Sequence, residues 1–349
     1  MWSFRNNRLL GPVDVTVANL MAALGRYQGR QTLYQHQAPQ VLETLRQIAV
    51  VESTEASNRI EGIVVPPSRF KALMADAVPQ TRPESEIAGY RNVLAQIHAG
   101  RIGLPLTPDK IREIHAGIYA YLPGEGGDWK QRDNVIRQTL PDGREAVRFV
   151  PVPADETPAA MEELCRLFET MWAEDKVDRL LLIDALILDF LCIHPFSDGN
   201  GRVARLLNLL LLYAAGYEVG RYISLERIIE NTKETYYEAL RLSGLQWETG
   251  QHDLTPWHQY SLGVIVYAYR EFEQRVGEVA MAAGGKSQSV KDAISAFKPG
   301  ETFTIGDLER ICPAVSRATI RRVLETLRKE GQVVCLGTGR NAQWRREEM

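Results

Sequence analysis

Residues 194–202 read His-Pro-Phe-Ser-Asp-Gly-Asn-Gly-Arg. An apolar run, Leu180 to Ile193, precedes them and predicts a buried helix that ends at His194-Pro195. A leucine-rich run, Val203 to Tyr213, follows and predicts a second helix. Between the two lies a polar, glycine-rich loop. A helix N-terminus offers unpaired N–H groups and the positive end of its dipole. Gly199 and Gly201 let that backbone approach a ligand closely. Arg202 and Arg205 add forked, phosphate-matching cations. The combination predicts a polyphosphate site. It is not a GxxxxGK(S/T) loop, and no strand precedes it, so it is not a dinucleotide fingerprint.

Two residues of the loop add chemistry. Asp198 among these cations fits a magnesium ion, which takes one or two carboxylates together with phosphate oxygens. His194, whose unperturbed pKa is about 6.5, can be neutral and accept a proton from an attacking hydroxyl. Phe196 is expected to point inward and pin the loop.

The nine residues match the Fic-domain signature HPFx(D/E)GN(G/K)R at every position, and Arg205 continues it as the second arginine of GRxxR. On these residues the central region resembles a Fic domain. The resemblance covers about residues 1–283. It implies a mainly α fold, a Fic-type helical core with a β-hairpin flap. It also implies transfer of AMP from ATP to a Ser, Thr or Tyr hydroxyl of a target protein, or of the chain itself. By resemblance His194 is the general base and Asp198 the magnesium ligand. Gly199, Asn200 and Gly201 form an anion hole, with Asn200 also on phosphate, and Arg202 and Arg205 bind phosphates. Relatives with lysine at the position of Gly201 include Doc-like kinases; glycine favours adenylylation. Tyr236 and Tyr237 resemble residues near the adenosine end of the nucleotide. ATP and Mg2+ are thus the implied substrate and cofactor.

Upstream, residues 57–62 read Ser-Asn-Arg-Ile-Glu-Gly. They match the family's inhibitory pattern, Ser/Thr-x-x-x-Glu-Gly/Asn. Ser57 and Glu61, four apart, share one face of a helix. The resemblance implies that Glu61 pairs with Arg205 and occupies the place of the γ-phosphate, with Gly62 closing the motif. In some related enzymes the same glutamate positions a water that removes AMP, so a de-AMPylase is the second enzymatic reading.

Working outward, 349 residues at roughly 150 per domain suggest two or three domains. The expected division is a helical regulatory segment over 1–104, a catalytic region over 105–283 and a small unit over 290–349. In the first, Val41–Glu52 has helical spacing, and a second helix is expected through Ser57 to a left-handed cap at Gly62. In the central region Thr107-Pro108 predicts a capped helix start. Between Gly126 and Pro153, the turn Pro141-Asp142-Gly143 and an alternating strand over Val147–Val152 predict an inserted hairpin. That hairpin resembles the Fic flap, where a target backbone adds as a strand. Residues 284–289 have the composition of a flexible linker.

The last region predicts three helices and a hairpin. The first helix is expected at Ser289–Phe297. The second is opened by Thr304-x-x-Asp307 and ended by Cys312-Pro313. The third is capped by Ser316 and closed by Gly331. The hairpin is expected at Val333–Leu336 and Asn341–Trp344 around Gly337-Thr338-Gly339. This resembles a winged helix-turn-helix. Residues 316–349 hold eight Lys or Arg and four Glu, net +4. Winged helices bind DNA or other proteins, so either is an expected partner of this region, and a DNA-binding regulator that senses nucleotide is the rival to an enzyme.

Composition narrows the rest. With 41 basic and 44 acidic side chains, net −3, the chain as a whole does not coat nucleic acid by charge. The four cysteines, Cys165, Cys192, Cys312 and Cys335, show no metal-type spacing, which fits a reducing cytoplasm. The N-terminus carries Arg5 and Arg8 where a signal peptide would be apolar. The Leu180–Ile193 run is broken by Asp184 and Asp189 and is shorter than the ~20 residues of a membrane span, so no membrane association is expected. The family often forms homodimers.

Overall fold

The computed structural model describes residues 1–6, 8–37, 39–139, 144–312, 315–337 and 342–347. The chain divides into two compact units, Met1–Phe272 and Glu273–Met349.

The first unit is helical. Its elements are α1 (Val15–Gln37), α2 (Pro39–Ile60), α3 (Pro67–Met74), α4 (Arg82–His98), α5 (Pro108–Ile118), the strands β1 (Ile136–Thr139) and β2 (Glu145–Phe149), α6 (Thr157–Glu174), α7 (Arg179–Ile193), α8 (Asn200–Ala214), α9 (Leu225–Asn231), α10 (Lys233–Gly244) and the start of α11 (Thr255–Ser295).

α7 is the central post. Asp178 caps it, its carboxylate accepting from Leu180 N–H at 2.8 Å. Nearly every residue after the first is buried, as an all-round apolar helix must be. The aspartates that interrupt its apolar run are buried and paired. Asp184 meets His258 Nδ1 at 2.9 Å. Asp189 accepts from Ser3 Oγ at 2.6 Å and Trp247 Nε1 at 2.5 Å, which ties the N-terminal segment to the core. Burial pushes the Asp189 carboxyl up to about 6, against these donors. α8 and α6 flank α7, and α2 lies along α9 and α4. The α4–α5 contact is close because both helices present glycine. A β-carbon on Gly89 would collide with the Ile118 carbonyl, and one on Gly117 with the Val93 side chain.

Several expectations need correction. Val41–Glu52 and Ser57–Gly62 are not two helices but parts of the single helix α2. No proline or glycine interrupts residues 40–61, so nothing breaks it earlier. The strand expected at Val147–Val152 runs instead over Glu145–Phe149, because it pairs antiparallel with β1 in a register that sets Arg137 opposite Val147. The expected turn Pro141-Asp142-Gly143 lies outside the described residues. The predicted N-cap is present: Thr107 Oγ1 accepts from Lys110 N–H at 3.2 Å.

The second unit contains the end of α11, β3 (Thr302–Thr304), α12 (Ile305–Ile311), α13 (Arg317–Lys329), β4 (Val333–Cys335) and β5 (Gln343–Arg346). Its antiparallel sheet has the order β3-β5-β4. Val290, Ile294, Phe303, Leu308, Ile320, Leu324, Val333 and Trp344 form its own apolar core. The capping box at Thr304 and Asp307 is present, and Ser316 caps α13. β3 has no counterpart in the sequence reading. Residues 284–289 do not form a linker, and Ser289–Phe297 is not a separate helix. Both fall within or at the end of the 41-residue α11. Pro313, Thr338, Gly339 and Asn341 lie outside the described residues. No helix is long and apolar enough to cross a membrane, among the described residues.

Candidate active site

α7 ends at Ile193, and His194 follows in the left-handed region, φ 51° and ψ 60°, its N–H donating to Phe190 O at 2.9 Å. That conformation turns the chain into the loop and aims the imidazole sideways. His194 Nδ1 lies 3.3 Å from the Leu191 carbonyl, so Nδ1 carries the proton and Nε2 keeps its lone pair. Burial lowers the His194 pKa to about 4, helped by the Lys130 ammonium and opposed by Leu191, Glu61 and Asp198. The ring is therefore neutral near pH 7 and able to accept a proton.

The loop is held from beneath. Phe196 is fully buried and stacks on His115, centroids 3.7 Å apart and planes 1° apart. The inward reading of Phe196 thus matches its position. Asn200 closes the loop on itself: Phe196 N–H donates to its Oδ1 at 2.9 Å, and its Nδ2 donates to Phe196 O at 2.8 Å. Its side chain is committed to the loop rather than turned to a phosphate, which corrects the second role expected for it. Gly199, φ 78°, is the N-cap of α8, and Asn200, Gly201 and Arg202 form the first turn. Their N–H groups are among those an α-helix leaves unpaired at its start.

The arginines divide. Arg202 is wholly buried; its Nη1 donates to Glu86 Oε2 at 2.6 Å and its Nη2 to Tyr119 OH at 2.8 Å. It braces the loop from behind and does not line the cavity described next, contrary to the phosphate-binding role expected of it. Arg205 does line that cavity. Its Nε donates to Ser57 Oγ at 2.9 Å, and its Nη2 to Ser57 O at 3.0 Å and to Glu61 Oε1 at 2.7 Å.

Glu61 is presented by a closed helix end. Gly62 N–H bonds Arg59 O at 2.9 Å and Ile63 N–H bonds Asn58 O at 2.9 Å, with Gly62 at φ 79°. This is a Schellman cap, and Glu61 is its C-cap residue. Lys233 Nζ adds a bond to Ile60 O at 2.6 Å. The Glu61 carboxylate occupies the space in front of Gly201: a β-carbon there would collide with Oε1.

A cavity of about 230 Å³ opens between these groups. His194, Gly201, Arg205 and Glu61 line one end, and Tyr236 and Tyr237 stand beside them, ring centroids 5.2 Å apart. Ile136, Arg148 and Phe149 of the hairpin form a wall with Leu240 and Leu245. Arg148 donates to the Tyr237 carbonyl and lies 5.1 Å over the Tyr237 ring. Burial pushes its pKa down. The structure thus brings together His194, Gly201, Arg205, Glu61, Tyr236 and Tyr237, as the sequence places them.

Asp198 lies in the loop before α8, its side chain 71% exposed. It accepts from Tyr119 OH at 3.2 Å and from Gly199 N–H at 2.7 Å, which leaves lone pairs on both oxygens. Among the described residues no group of three or more His, Cys, Asp or Glu is placed to hold a metal. One exposed carboxylate fits a magnesium ion that arrives with phosphates, not a resident one.

Four supporting residues have no clear sequence signal. His115 accepts from Gly127 N–H at Nδ1, 2.8 Å, so its Nε2–H donates to Asp198 O at 3.0 Å. Tyr119 links Arg202 to Asp198, and Glu86 takes the Arg202 charge. Lys130 is buried; its Nζ donates to Ile193 O at 3.1 Å and Asn134 Oδ1 at 3.0 Å, and its N–H bonds Pro195 O at 2.8 Å. It caps the C-terminal end of α7 where a cation is favoured. Burial lowers its own pKa to about 8, so it is charged near pH 7. Removing that charge relieves a repulsion on the imidazolium. Lys130→Met is therefore expected to raise the His194 pKa, read from the pH titration of its ring resonances. A His194 titration that stays in place or moves down contradicts this account.

Residues 105–212 match the model of the Fic/DOC family. Among curated proteins, protein adenylyltransferase Fic of Nematostella vectensis is 28% identical over 171 residues, 46% of this chain and 37% of that protein. Its namesake in Drosophila willistoni is 26% identical over 191 residues, 52% of this chain and 36% of that protein. The matched parts span little more than a third of these relatives' own length. Among solved structures, a Fic family protein from Desulfovibrio desulfuricans G20 covers 97% of this chain and 98% of its own, with TM-score 0.62 and 20% identity. A Fic domain containing signaling protein from Bacteroides thetaiotaomicron VPI-5482 covers 75% and 97%, with TM-score 0.60 and 21% identity. At these identities the structures share the fold.

Proposed function

We propose that this chain, whose residues 105–212 match the model of the Fic/DOC family, transfers AMP from ATP to a hydroxyl side chain of a target protein, under restraint by Glu61. The observation that carries the reading is His194. Its Nε2 lone pair is free, its ring is neutral, and it stands at the end of the cavity where α8 begins.

The residues divide the work. His194 Nε2 takes the proton of the incoming hydroxyl. The hydroxyl oxygen bonds the α-phosphorus of ATP while the bond to the bridging β-phosphate oxygen breaks, and pyrophosphate departs. The first-turn N–H groups of α8 and the Arg205 guanidinium receive phosphate oxygens, preorganised charge stabilisation of the kind such transfers need. Asp198 would hold magnesium, which when bound neutralises phosphate charge. The apolar wall of Ile136, Phe149, Leu240 and Leu245, with Tyr236 and Tyr237, is suited to a flat base. The hairpin β1–β2 offers a strand edge on which a target segment can add.

Glu61 supports the restraint. Its carboxylate holds Arg205 and fills the space before Gly201, where a nucleotide's terminal phosphate would need both. With Arg205 engaged, a nucleotide would sit with its α-phosphate out of line.

The test uses ATP labelled at either end. Incubation with magnesium is expected to add label to protein from α-labelled ATP and none from γ-labelled ATP. Incorporation from the γ position alone would make the chain a kinase and overturn the reading.

A further inference from the structure

We infer that the C-terminal unit binds duplex DNA through the solvent face of α13. The unit has a complete core of its own, so α13 does not need its outer face for folding. Ile320, Val323, Leu324 and Leu327 are buried. The remaining positions, Ala318, Arg321, Arg322, Glu325, Thr326, Arg328 and Lys329, are exposed.

The composition of that face selects the partner. α13 carries five cations and one carboxylate, and none of its exposed side chains is a large apolar one. A protein-binding face needs apolar or aromatic anchors at its centre. Here the centre is two arginines. Arg317 is paired with Glu309 of α12 at 3.0 Å, and Arg328 stands 3.7 Å from Glu325. Arg321 and Arg322 have no carboxylate within ion-pair distance among the described residues, so both forks are available to phosphates.

The geometry suits a groove. α12 ends at Ile311 and α13 begins at Arg317, a short connection between two helices. α13 spans 13 residues, roughly 20 Å at 1.5 Å per residue, and a helix fits the roughly 12 Å wide major groove. Ala318 in its first turn leaves the backbone open to close approach. The first turn is also the end that such helices turn to the bases.

The experiment uses the full chain and a random-sequence 20-base-pair duplex with a fluorophore, at a series of salt concentrations. Binding on the order of micromolar at low salt is expected, falling steeply as salt rises. Arg321→Ala with Arg322→Ala should weaken binding about tenfold at low salt and reduce the slope of log K against log salt by about two. Arg26→Ala with Arg101→Ala, exposed cations of the other unit, should change neither. Thermal unfolding of each variant checks that the fold is kept. Absence of duplex binding by the wild type at low salt overturns the inference, as does binding that both double variants weaken alike. Retention of polyglutamate but not of duplex would also overturn it, and would make α13 a face for acidic protein segments.

Discussion

Glu61→Gly is expected to raise AMP incorporation by about 100-fold over the wild type, in intact-mass measurements with magnesium and ATP. The size follows from geometry: a misplacement of about 1 Å at the reacting centre costs on the order of 100-fold in rate. Removing the carboxylate takes away one of the three bonds on Arg205 and clears the space before Gly201. The remaining two bonds, both to Ser57, keep the guanidinium in place. The cap of α2 survives, because its bonds are made by the backbone of residues 58, 59, 62 and 63. The unfolding midpoint should therefore stay near the wild-type value. Unchanged incorporation with unchanged stability would remove the restraining role from Glu61. Faster loss of AMP from a modified target in the wild type than in the variant would assign Glu61 to the reverse, hydrolytic step.

His194→Ala, placed in the Glu61→Gly background, is expected to lower AMP transfer by about 100- to 10,000-fold, the range for losing a general base. Binding of ATP is expected to persist, since the α8 N–H groups, Arg205 and the apolar wall are untouched. The pH dependence has a definite sign. A general base at His194 must be unprotonated to act, so the rate is expected to rise as pH climbs through its pKa and to be flat above it. Burial holds that pKa near 4 in the empty site, so the acid limb lies below the ordinary histidine range. Phosphate charge bound beside the ring draws the limb upward. Full activity of the alanine variant would refute the base assignment. An acid limb at or above pH 6.5 for kcat/KM would contradict the buried neutral ring.

The site was legible where its chemistry is contiguous. Nine residues in a row hold His194 at the end of α7, the exposed Asp198, the left-handed Gly199 and the start of α8, so their placement follows from local pattern. The Glu61–Arg205 pair joins positions 144 apart in sequence, and no periodicity links them; only the resemblance did. The roles of Asn200 and Arg202 were not legible, because sequence does not say which side of a loop is filled. Here Glu86, Tyr119 and the Phe196 backbone fill it. Lys130 sits in a polar loop and reads as a surface cation, yet it is buried under the end of α7. The fold shows the same division. α7 and the Thr107 cap follow from local pattern. Residues 284–289 look like a linker by composition, but glycine disfavours a helix by only about 1 kcal/mol, and α11 runs from Thr255 before them to Ser295 after them.

The close approach of Glu61 to Gly201 has a consequence for how such chains can diverge. The loop and the α2 helix end share one small volume: a side chain at 201 would force the Glu61 carboxylate to move and would crowd Arg205. Positions 61 and 201 therefore cannot drift independently. A descendant that acquires lysine at 201 would put its side chain into the space the Glu61 carboxylate now fills, and the restraint proposed for Glu61 would be expected to go with it.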